Sequence, residues 1–467
     1  MAVAFGMSTS TVNHRYGTAN RLFPVLLLAR NGALGELPPG VVEDVHAGIV
    51  YGLGDFGRQA QRIAGLLSPD GGTAERAREI LSADAGTAET VVAATVLSNL
   101  AWEAGDLDEG MRWGRHAVAL NGEGVPDPWR PYPCLALAEK LLDIGELDEA
   151  EVLIKAADAA AAHREDHPAA VDVEIGKGRL LYASSMFRAA RRKISGTVGR
   201  AAGAGADWTT RYGLLLLALT DLRRPDLRAA CDSMWKCRAE FTGDPLVRPS
   251  FAYRWCEYLV STIGLNAERA VETFTEEYAD LLDCPALFVM DAAAAPWLVR
   301  LAQTAGDVLL ATSVVAAVER LAAGNPGYPT VRATALHARA LLGHDTEALR
   351  EAASAHRDLW AARLAGEHLR SLDRRREPAR TVEAELVAVA TPHRQARSEV
   401  PERAASLLTT TELRIAHLVS SGMTNQQIAH SLRRSPHTVN YHLRRIFEKL
   451  EIRSRVELAT YCLREGA

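Results

Sequence analysis

The chain has 467 residues, of which 48% are hydrophobic and 24% are charged. This composition supports a sizeable folded core and excludes a chain that is disordered over most of its length. The net charge is −5, and residues 407–467 hold nine Lys or Arg against five Asp or Glu, which leaves −9 for the rest. An acidic bulk with a small basic end argues against a protein that coats nucleic acid along its whole length.

Residues 1–39 form an N-terminal segment that we predict to be helical or partly disordered. Its apolar run at residues 23–29 contains Pro24, is too short to cross a bilayer and lacks the basic start of a secretion signal.

The six cysteines include no Cys-x-x-Cys pair, and Cys231 and Cys237 fit no common zinc spacing. We therefore predict a cytoplasmic protein with reduced thiols, no metal and no membrane contact.

Residues 40–372 are predicted to form consecutive helices, and one short sequence motif recurs between them. A glycine, usually followed by an acid, separates two helices at five places: Gly54-Asp55, Gly105-Asp106, Gly145-Glu146, Gly306-Asp307 and Gly343. Glycine can end a helix in a left-handed turn, and the acid can open the next helix. Such hairpins stack because none of them buries its apolar face alone. Two clear copies are about forty residues apart, so we predict a tetratricopeptide-like α-solenoid, with a less regular helical bundle as the alternative.

A solenoid presents a concave groove, which can bind a peptide, a protein or a small molecule. Aromatic and arginine side chains at residues 208–212 and 248–255 are candidates to line it. Five tryptophans lie in helical contexts and are expected to pack between hairpins instead: Trp102, Trp113, Trp235, Trp255 and Trp297. Residues 373–404 are predicted to be a linker, because three arginines and three prolines bracket one helical stretch at residues 381–390.

Residues 405–467 contain four helix starts in a short stretch. Three capping boxes and one serine followed by proline mark them: Thr409 to Glu412, Thr424 to Gln427, Ser454 to Glu457, and Ser435-Pro436. Apolar residues recur at helical spacing, at Ile415, Leu418, Val419, Ile428, Ala429, Leu432, Val439, Leu443, Ile446 and Leu450. Two short helices around a tight turn, followed by a third with polar and basic residues, are typical of a helix-turn-helix that reads DNA.

These motifs resemble the LuxR-type (GerE-like) DNA-binding domain. The resemblance is carried by Gly422-x-Thr424-Asn425-x-Gln427-Ile428-Ala429, by Ser435-Pro436-x-Thr438-Val439-x-Tyr441-His442-Leu443 and by Ser454-Arg455-x-Glu457-Leu458-Ala459. It covers only about the last sixty residues. The predicted fold is therefore all-α, with a TPR-like helical-repeat solenoid followed by a C-terminal four-helix LuxR-type helix-turn-helix domain.

The resemblance implies that Thr438 and Lys449 face phosphates and that Val439, Asn440 and Tyr441 lie nearest the bases. The complete set of predicted DNA-binding residues is Thr424, Asn425, Arg434, Ser435, His437, Thr438, Val439, Asn440, Tyr441, Arg444, Arg445 and Lys449. The helix that starts at Ser454 resembles the family's dimerisation helix, with contacts predicted at Val456, Leu458, Ala459, Tyr461 and Cys462. Two of these assignments have an alternative. Val439 can be a core residue, and Lys449 can cap or pair within its own helix, for instance with Glu448 or Glu451.

Two positions depart from the family pattern. Asn440 stands where the family often has lysine, which replaces a phosphate contact by an amide suited to adenine. Arg434 occupies a turn position that is usually apolar, and from there its side chain can extend outward to the DNA backbone. Both departures concern which operator is read.

Motifs for catalysis are missing from the sequence. Gly176-Lys177-Gly178 is the nearest approach to a phosphate-binding loop, and it lacks the preceding glycine and the hydroxyl that binds magnesium. His163 and His167 are four residues apart, but Arg164 stands where a zinc protease needs glutamate. We therefore predict no enzyme and no cofactor. Residues 40–372 resemble the helical region of large LuxR-family regulators, but the sequence has no counterpart of the ATPase domain of those regulators.

Together these features predict a DNA-binding transcriptional regulator. It reads an operator in double-stranded DNA through residues 435–450, and a peptide, protein or small-molecule effector acts on its helical domain. Family resemblance favours an activator that contacts RNA polymerase and binds DNA as a homodimer. The alternatives are a protein-interaction scaffold and a motorless relative of an ATP-dependent LuxR-family regulator. A sigma factor is disfavoured, because the DNA-melting half of such factors has no counterpart here.

Overall fold

The computed structural model describes residues 72–83, 87–122, 130–162, 169–203, 207–224, 226–239, 250–373, 408–420, 425–432, 434–450, 452 and 458. These residues form helices and turns, and the described part contains no strand. None of the described helices is long and apolar enough to cross a membrane. The predicted N-terminal segment, the Gly54-Asp55 repeat and nearly all of the predicted linker lie outside the described residues.

Residues 72–373, which we call the body, contain seventeen described α-helices. They are α1 (Thr73–Ser82), α2 (Thr87–Glu103), α3 (Leu107–Leu120), α4 (Pro131–Asp143), α5 (Leu147–Ala161), α6 (Ala170–Ala183), α7 (Phe187–Gly203), α8 (Asp207–Leu222), α9 (Leu227–Ala239), α10 (Phe251–Ser261), α11 (Ala267–Glu277), α12 (Pro285–Met290), α13 (Ala294–Ala305), α14 (Val308–Gly324), α15 (Pro329–Leu342), α16 (Thr346–Ala355) and α17 (Leu359–Asp373). A short 3-10 helix (Ala279–Asp283) precedes α12.

Consecutive helices of the body pack as hairpins. Helix α2 pairs with α3, α4 with α5, α6 with α7 and α8 with α9. The first helices of neighbouring hairpins also touch, so α2, α4, α6, α8 and α10 form a continuous row. Each hairpin thus buries on its neighbours the apolar face that it cannot bury alone. This stacking confirms the predicted helical-repeat fold.

Left-handed residues turn the chain between the helices of a hairpin at a period of forty residues. Gly105 and Gly145 have φ angles of +82° and +78°. Asp106 then caps α3, because its carboxylate accepts a hydrogen bond of 3.0 Å from the Glu109 backbone N–H. Forty residues after Gly145, Ser185 has a φ of +60° and turns the chain from α6 into α7. This third copy is not evident from the sequence, because a serine in a left-handed turn lacks the glycine that marks the other two.

Two later turns test the predicted role of glycine. Gly306 is left-handed, and Asp307 caps α14 by accepting from the Leu310 backbone N–H at 2.8 Å, as predicted. Gly343 is different, because its φ is −85° and the left-handed residue is His344. The next residue, Asp345, caps α16. The prediction that Gly343 forms the left-handed turn is therefore wrong by one residue, and the acid that opens the next helix is two residues away.

The C-terminal third of the body folds back against the turns of the first hairpins. Asn325 accepts a hydrogen bond of 3.0 Å from the Leu107 backbone N–H and donates one of 2.7 Å to the Gly105 carbonyl. The Thr330 hydroxyl donates to the Ile144 carbonyl at 2.9 Å. These bonds hold the later helices against the turns of the first hairpins. The later helices therefore help to close the space between the hairpins, which forms a cavity.

Several predicted packing residues lie where expected, and one does not. Trp102, Trp255 and Trp297 are 6%, 1% and 5% exposed and pack inside the body. Trp235, on α9, is 75% exposed, so the prediction that it packs between hairpins is wrong. Gly178 lies within α6, where a side-chain carbon would come within 2.5 Å of the Ile194 Cγ1 atom. The glycine that looked like part of a phosphate-binding loop therefore allows close helix packing.

Candidate nucleic-acid interface

Three helices form a separate C-terminal unit: α18 (Thr410–Ser420), α19 (Asn425–Ser431) and α20 (Pro436–Leu450). We call the described residues between 408 and 458 the reader. Its apolar side chains share one core, formed by Leu408, Ile415, Ala416, Leu418, Val419, Ile428, Ala429, Val439, Leu443, Ile446, Leu450 and Leu458. Leu432 is partly buried at the edge of this core. The predicted trihelical core is confirmed.

The starts of α18 and α20 have the predicted caps. The Thr409 backbone N–H donates to Glu412 Oε2 at 2.8 Å, and the Glu412 N–H donates to Thr409 Oγ1 at 3.4 Å, which is a capping box. Ser435 Oγ accepts from the Thr438 backbone N–H at 3.1 Å and lies 2.9 Å from the Thr438 hydroxyl. The boxes predicted at Thr424 and Ser454 lie outside the described residues. Local side-chain chemistry therefore sets where the recognition helix, α20, begins.

The face of α20 that points away from the core is polar, aromatic and basic. Its exposed residues are Ser435, Pro436 and His437 at the start, Asn440, Tyr441, Arg444 and Arg445 along the helix, and the acid Glu448 near its end. Tyr441 is 54% exposed, and the Arg445 guanidinium lies 5.9 Å from its ring centre. The helix therefore presents an aromatic ring and positive charge side by side to the solvent. Amide, aromatic and guanidinium groups are those that contact base edges and phosphates in the major groove.

One hydrogen bond orients the amide at the centre of this face. Asn425, at the start of α19, donates from Nδ2 to Asn440 Oδ1 at 2.6 Å. With its oxygen engaged, the Asn440 amide has its nitrogen free to turn outward. The assignment of the two amide ends follows from hydrogen bonding. The bond brings two predicted DNA-binding residues from different helices into contact, which their separation in sequence did not reveal.

Lys449 has a partner that the sequence did not suggest. Its Nζ atom lies 2.5 Å from Glu412 Oε2, on α18. Among the described residues it makes no ion pair with Glu448, and Glu451 lies outside the described residues. Arg445 Nε lies 3.8 Å from Glu412 Oε1. Burial opposes ionisation of Glu412, which is 1% exposed, but the hydrogen bonds from Lys449 and Thr409 outweigh it and lower its pKa. The charge of Lys449 is therefore used to join α18 to α20.

Each of the remaining predicted site residues is buried, exposed or outside the described residues. Val439 is completely buried in the reader core, which favours the core alternative over contact with bases. Arg444 is exposed and makes no ion pair or hydrogen bond with the described residues, so its charge is available to DNA. Leu458 is also completely buried in the reader core. Outside the described residues lie Thr424, Val456, Ala459, Tyr461 and Cys462.

The body contacts the reader mainly through Asp148, at the start of α5. Its Oδ1 atom accepts a hydrogen bond of 3.0 Å from the Thr411 hydroxyl, and its Oδ2 atom pairs with Arg434. Arg434, predicted to reach the DNA backbone, thus has an acidic partner inside the protein. Met186, in the turn between α6 and α7, packs into the reader core. Arg414 lies in the cleft between the two parts, where burial lowers its pKa to about 10.

The fold and this surface define a helical-repeat body joined to a helix-turn-helix reader. Residues 406–462 match the model of the family described as bacterial regulatory proteins, luxR family. The chain therefore carries a LuxR-family helix-turn-helix domain, and the resemblance noted in the sequence is confirmed.

Three curated relatives are similar to this stretch. They come from Mycobacterium bovis and two strains of Mycobacterium tuberculosis, and their names describe HTH-type transcriptional regulators. Each is 42% identical over 67 residues, which cover 14% of this chain. The chain spans only 8% of the length of these relatives. No solved structure matches the chain.

Proposed function

We propose that this protein is a DNA-binding transcriptional regulator whose reader selects operator sequences through α20. The observation that carries the proposal is the exposed face of that helix, where an amide, a phenol ring and two guanidinium groups stand opposite the core. The basic excess of residues 407–467, in an otherwise acidic chain, supports it, because phosphate contacts dominate the affinity of DNA-binding proteins. The LuxR-family match supports the same class.

The exposed residues divide by chemistry into two roles. Arg444 and Arg445 are assigned to phosphates, where their charge adds affinity and positions the reader without reading the sequence. Ser435, at the start of α20, and the neighbouring backbone N–H groups suit a phosphate at a helix N-terminus. Asn440 and Tyr441 reach base edges, since an asparagine amide can pair with adenine. Val439 then supports the helix from inside the core.

The regulator is further proposed to act as an activator on two half-sites, as a homodimer that contacts RNA polymerase. The body is proposed to receive the effector and to pass the signal to the reader. The contacts of Asp148 with Arg434 and Thr411 support this coupling, because they join a repeat helix directly to the DNA-binding part.

Two substitutions in the full chain test the division of roles. Arg444→Ala should weaken binding to every sequence in a randomised operator pool by a similar factor and lower the salt slope by about one phosphate contact. Asn440→Ala should change the preferred base at one operator position. Arg269→Ala, which removes an exposed arginine of α11, is the control and should change neither property. The measurement is sequencing of the bound fraction at several salt concentrations.

Equal losses across the pool for both variants would overturn the assignment of roles. If the unmodified chain bound no DNA even at low salt, the proposal of a DNA-binding regulator would fail, and a protein-interaction scaffold would replace it.

A further inference from the structure

A cavity of about 110 Å³, partly open to solvent, lies inside the body. Its wall comes from the row of first helices, α2, α4, α6 and α8, and from the start of α10, while Met290 and Asp291 cover it from the later helices. An engineered core cavity of about 150 Å³ is large enough to bind benzene. The cavity in the body is smaller than this but is partly open to solvent, so it suits a group of about the size of a single ring.

Two buried polar atoms in this wall have no hydrogen-bond partner among the described residues. Asn99, on α2, is 2% exposed; its Oδ1 atom accepts from Lys140 Nζ at 2.5 Å, whereas its Nδ2 atom bonds to none of the described residues. Glu103 lies one turn further along α2, and its buried Oε1 atom likewise has no partner in the described part of the chain. Residues four apart share one face of a helix. The wall thus offers a hydrogen-bond donor beside an acceptor, and buried groups of this kind cost free energy unless something pairs with them.

The cavity is close to electrically neutral. Burial raises the pKa of Glu103 to about 8, against the opposing effect of Lys140, so its carboxyl group is mostly uncharged at neutral pH. The other charged residues of the wall balance: they are the acids Glu139, Asp143 and Asp291 and the bases Lys140, Arg179 and Arg211. Asp143 and Arg179 pair directly, at 2.6 Å. Such a wall favours an uncharged ligand over a cation or an anion.

We propose that this cavity is a binding site for a small uncharged carboxamide with an apolar group of about ring size. The amide oxygen accepts from Asn99 Nδ2, and the amide N–H donates to Glu103 Oε1. Trp102, Leu216 and Phe251, which line the same space, pack against the apolar group. The role of this ligand as an effector rests on the proposed function, whereas its binding does not.

The wall of the cavity extends toward the reader. Asp143, Arg179, Tyr182 and Met290 also line a second cleft, and the reader's Arg414 lies in that cleft. A ligand that shifts the Asp143–Arg179 pair would therefore alter the surroundings of Arg414. This gives occupancy of the cavity a short structural route to the reader.

The test is calorimetric titration of the full chain with benzamide, benzoate and benzylamine, three probes of similar size that differ in charge. Benzamide should bind at one site with a dissociation constant below about 1 mM, as expected for a well-placed fragment. Benzoate and benzylamine should bind at least about tenfold more weakly, because the loss of one buried hydrogen bond or the burial of a charge has an effect of this order.

Variants locate the site. Asn99→Asp keeps the acceptor for Lys140 but removes the Nδ2 donor, and Glu103→Leu removes the acceptor; each should weaken benzamide binding by at least about tenfold. Glu103→Gln keeps an acceptor oxygen without a charge and should retain binding. Glu268→Gln, an exposed substitution on α11, is the control. Circular dichroism checks the fold, and the comparison of the three probes on the unmodified chain needs no variant.

Tighter binding of benzylamine than of benzamide, abolished by Glu103→Gln, would overturn the proposal in favour of a cation site. Absence of saturable benzamide binding would overturn it outright. Neither result bears on DNA recognition, because the titration contains no DNA. Conversely, if the chain bound benzamide but no operator DNA, the proposal of this binding site would stand and the proposed regulator function would fail.

Discussion

At the scale of single residues, Glu412 holds the reader together. One carboxylate closes the cap of α18 through Thr409, pairs with Lys449 and lies near Arg445. It is 1% exposed, so its charge depends on these partners. A buried carboxylate that loses one of them is left with an uncompensated charge, which is strongly destabilising. The positioning of α20 for DNA therefore depends on a residue that does not itself reach the binding face.

Glu412→Gln should destabilise the reader by about 1–3 kcal/mol, because it removes charge-assisted hydrogen bonds. Hydrogen exchange of peptides from α18 and α20 in the full chain measures this loss region by region. Glu448→Gln, an exposed neighbour of Lys449 on α20, is the matched control and should leave exchange unchanged. Equal protection in both variants would contradict the role given to Glu412.

The same carboxylate gives the reader a pH dependence of known sign. Because the pKa of Glu412 is lower in the folded than in the unfolded reader, its contribution to stability is complete above the unfolded value of about 4.5. It is lost as the pH falls through the folded value. Protection of α18 and α20 should therefore decrease in acid more steeply in the unmodified chain than in Glu412→Gln.

At the scale of elements, the hairpin turns explain the regularity of the body. The left-handed residue turns the chain between two helices, and after Gly105, Gly306 and His344 the next residue is an aspartate that caps the second helix. Gly105 has a further constraint, because a side-chain carbon there would come within 2.8 Å of the Pro285 Cβ atom. Gly264 has the same φ of +82° but open space around it. Substitutions at these two glycines therefore measure the effect of backbone conformation separately from that of packing.

Gly264→Ala should cost about 1–2 kcal/mol, the strain of an L-residue in a left-handed turn. Gly105→Ala should cost at least about 1 kcal/mol more, since overpacking adds to the same strain. Urea unfolding followed by tryptophan fluorescence measures both, because all eight tryptophans lie before residue 373. Equal costs would show that the contact with Pro285 relaxes freely.

The parts of the structure that the sequence predicted are those with local causes. The reader core follows from helical spacing, and the caps at Thr409 and Ser435 follow from residues within three positions. Ser185 was missed because a left-handed serine has no local signature. The bonds of Asn325 with the Gly105 turn were also missed, because they depend on how the whole array curves. The polar side chains of the cavity meet for the same reason.

At the scale of the whole molecule, the body supplies an acid to a basic part of the reader. Asp148 lies directly after the Gly145-Glu146 motif, whose local role is only to turn the chain between two paired helices. It nevertheless contacts Thr411 and Arg434, across more than half of the chain. No local pattern predicts such a contact. In the proposed function, Asp148 competes with DNA phosphate for Arg434.

Asp148→Asn should therefore raise the affinity of the full chain for operator DNA by about two- to fivefold, the range expected for a solvent-exposed ion pair. Fluorescence anisotropy at low salt measures the change. Glu149→Gln alters the adjacent acid in the first turn of α5, which pairs with Arg115 of the body, and should have no effect. An unchanged or lower affinity for Asp148→Asn would mean that the contact supports the reader and does not restrain it.

Selection of binding sites from random DNA by the full chain tests whether α20 reads a specific operator. The salt concentration is then titrated on the selected pool. We expect one enriched motif, with an affinity whose logarithm falls linearly with the logarithm of salt concentration. Enrichment of no motif, together with no binding at low salt, would contradict the account.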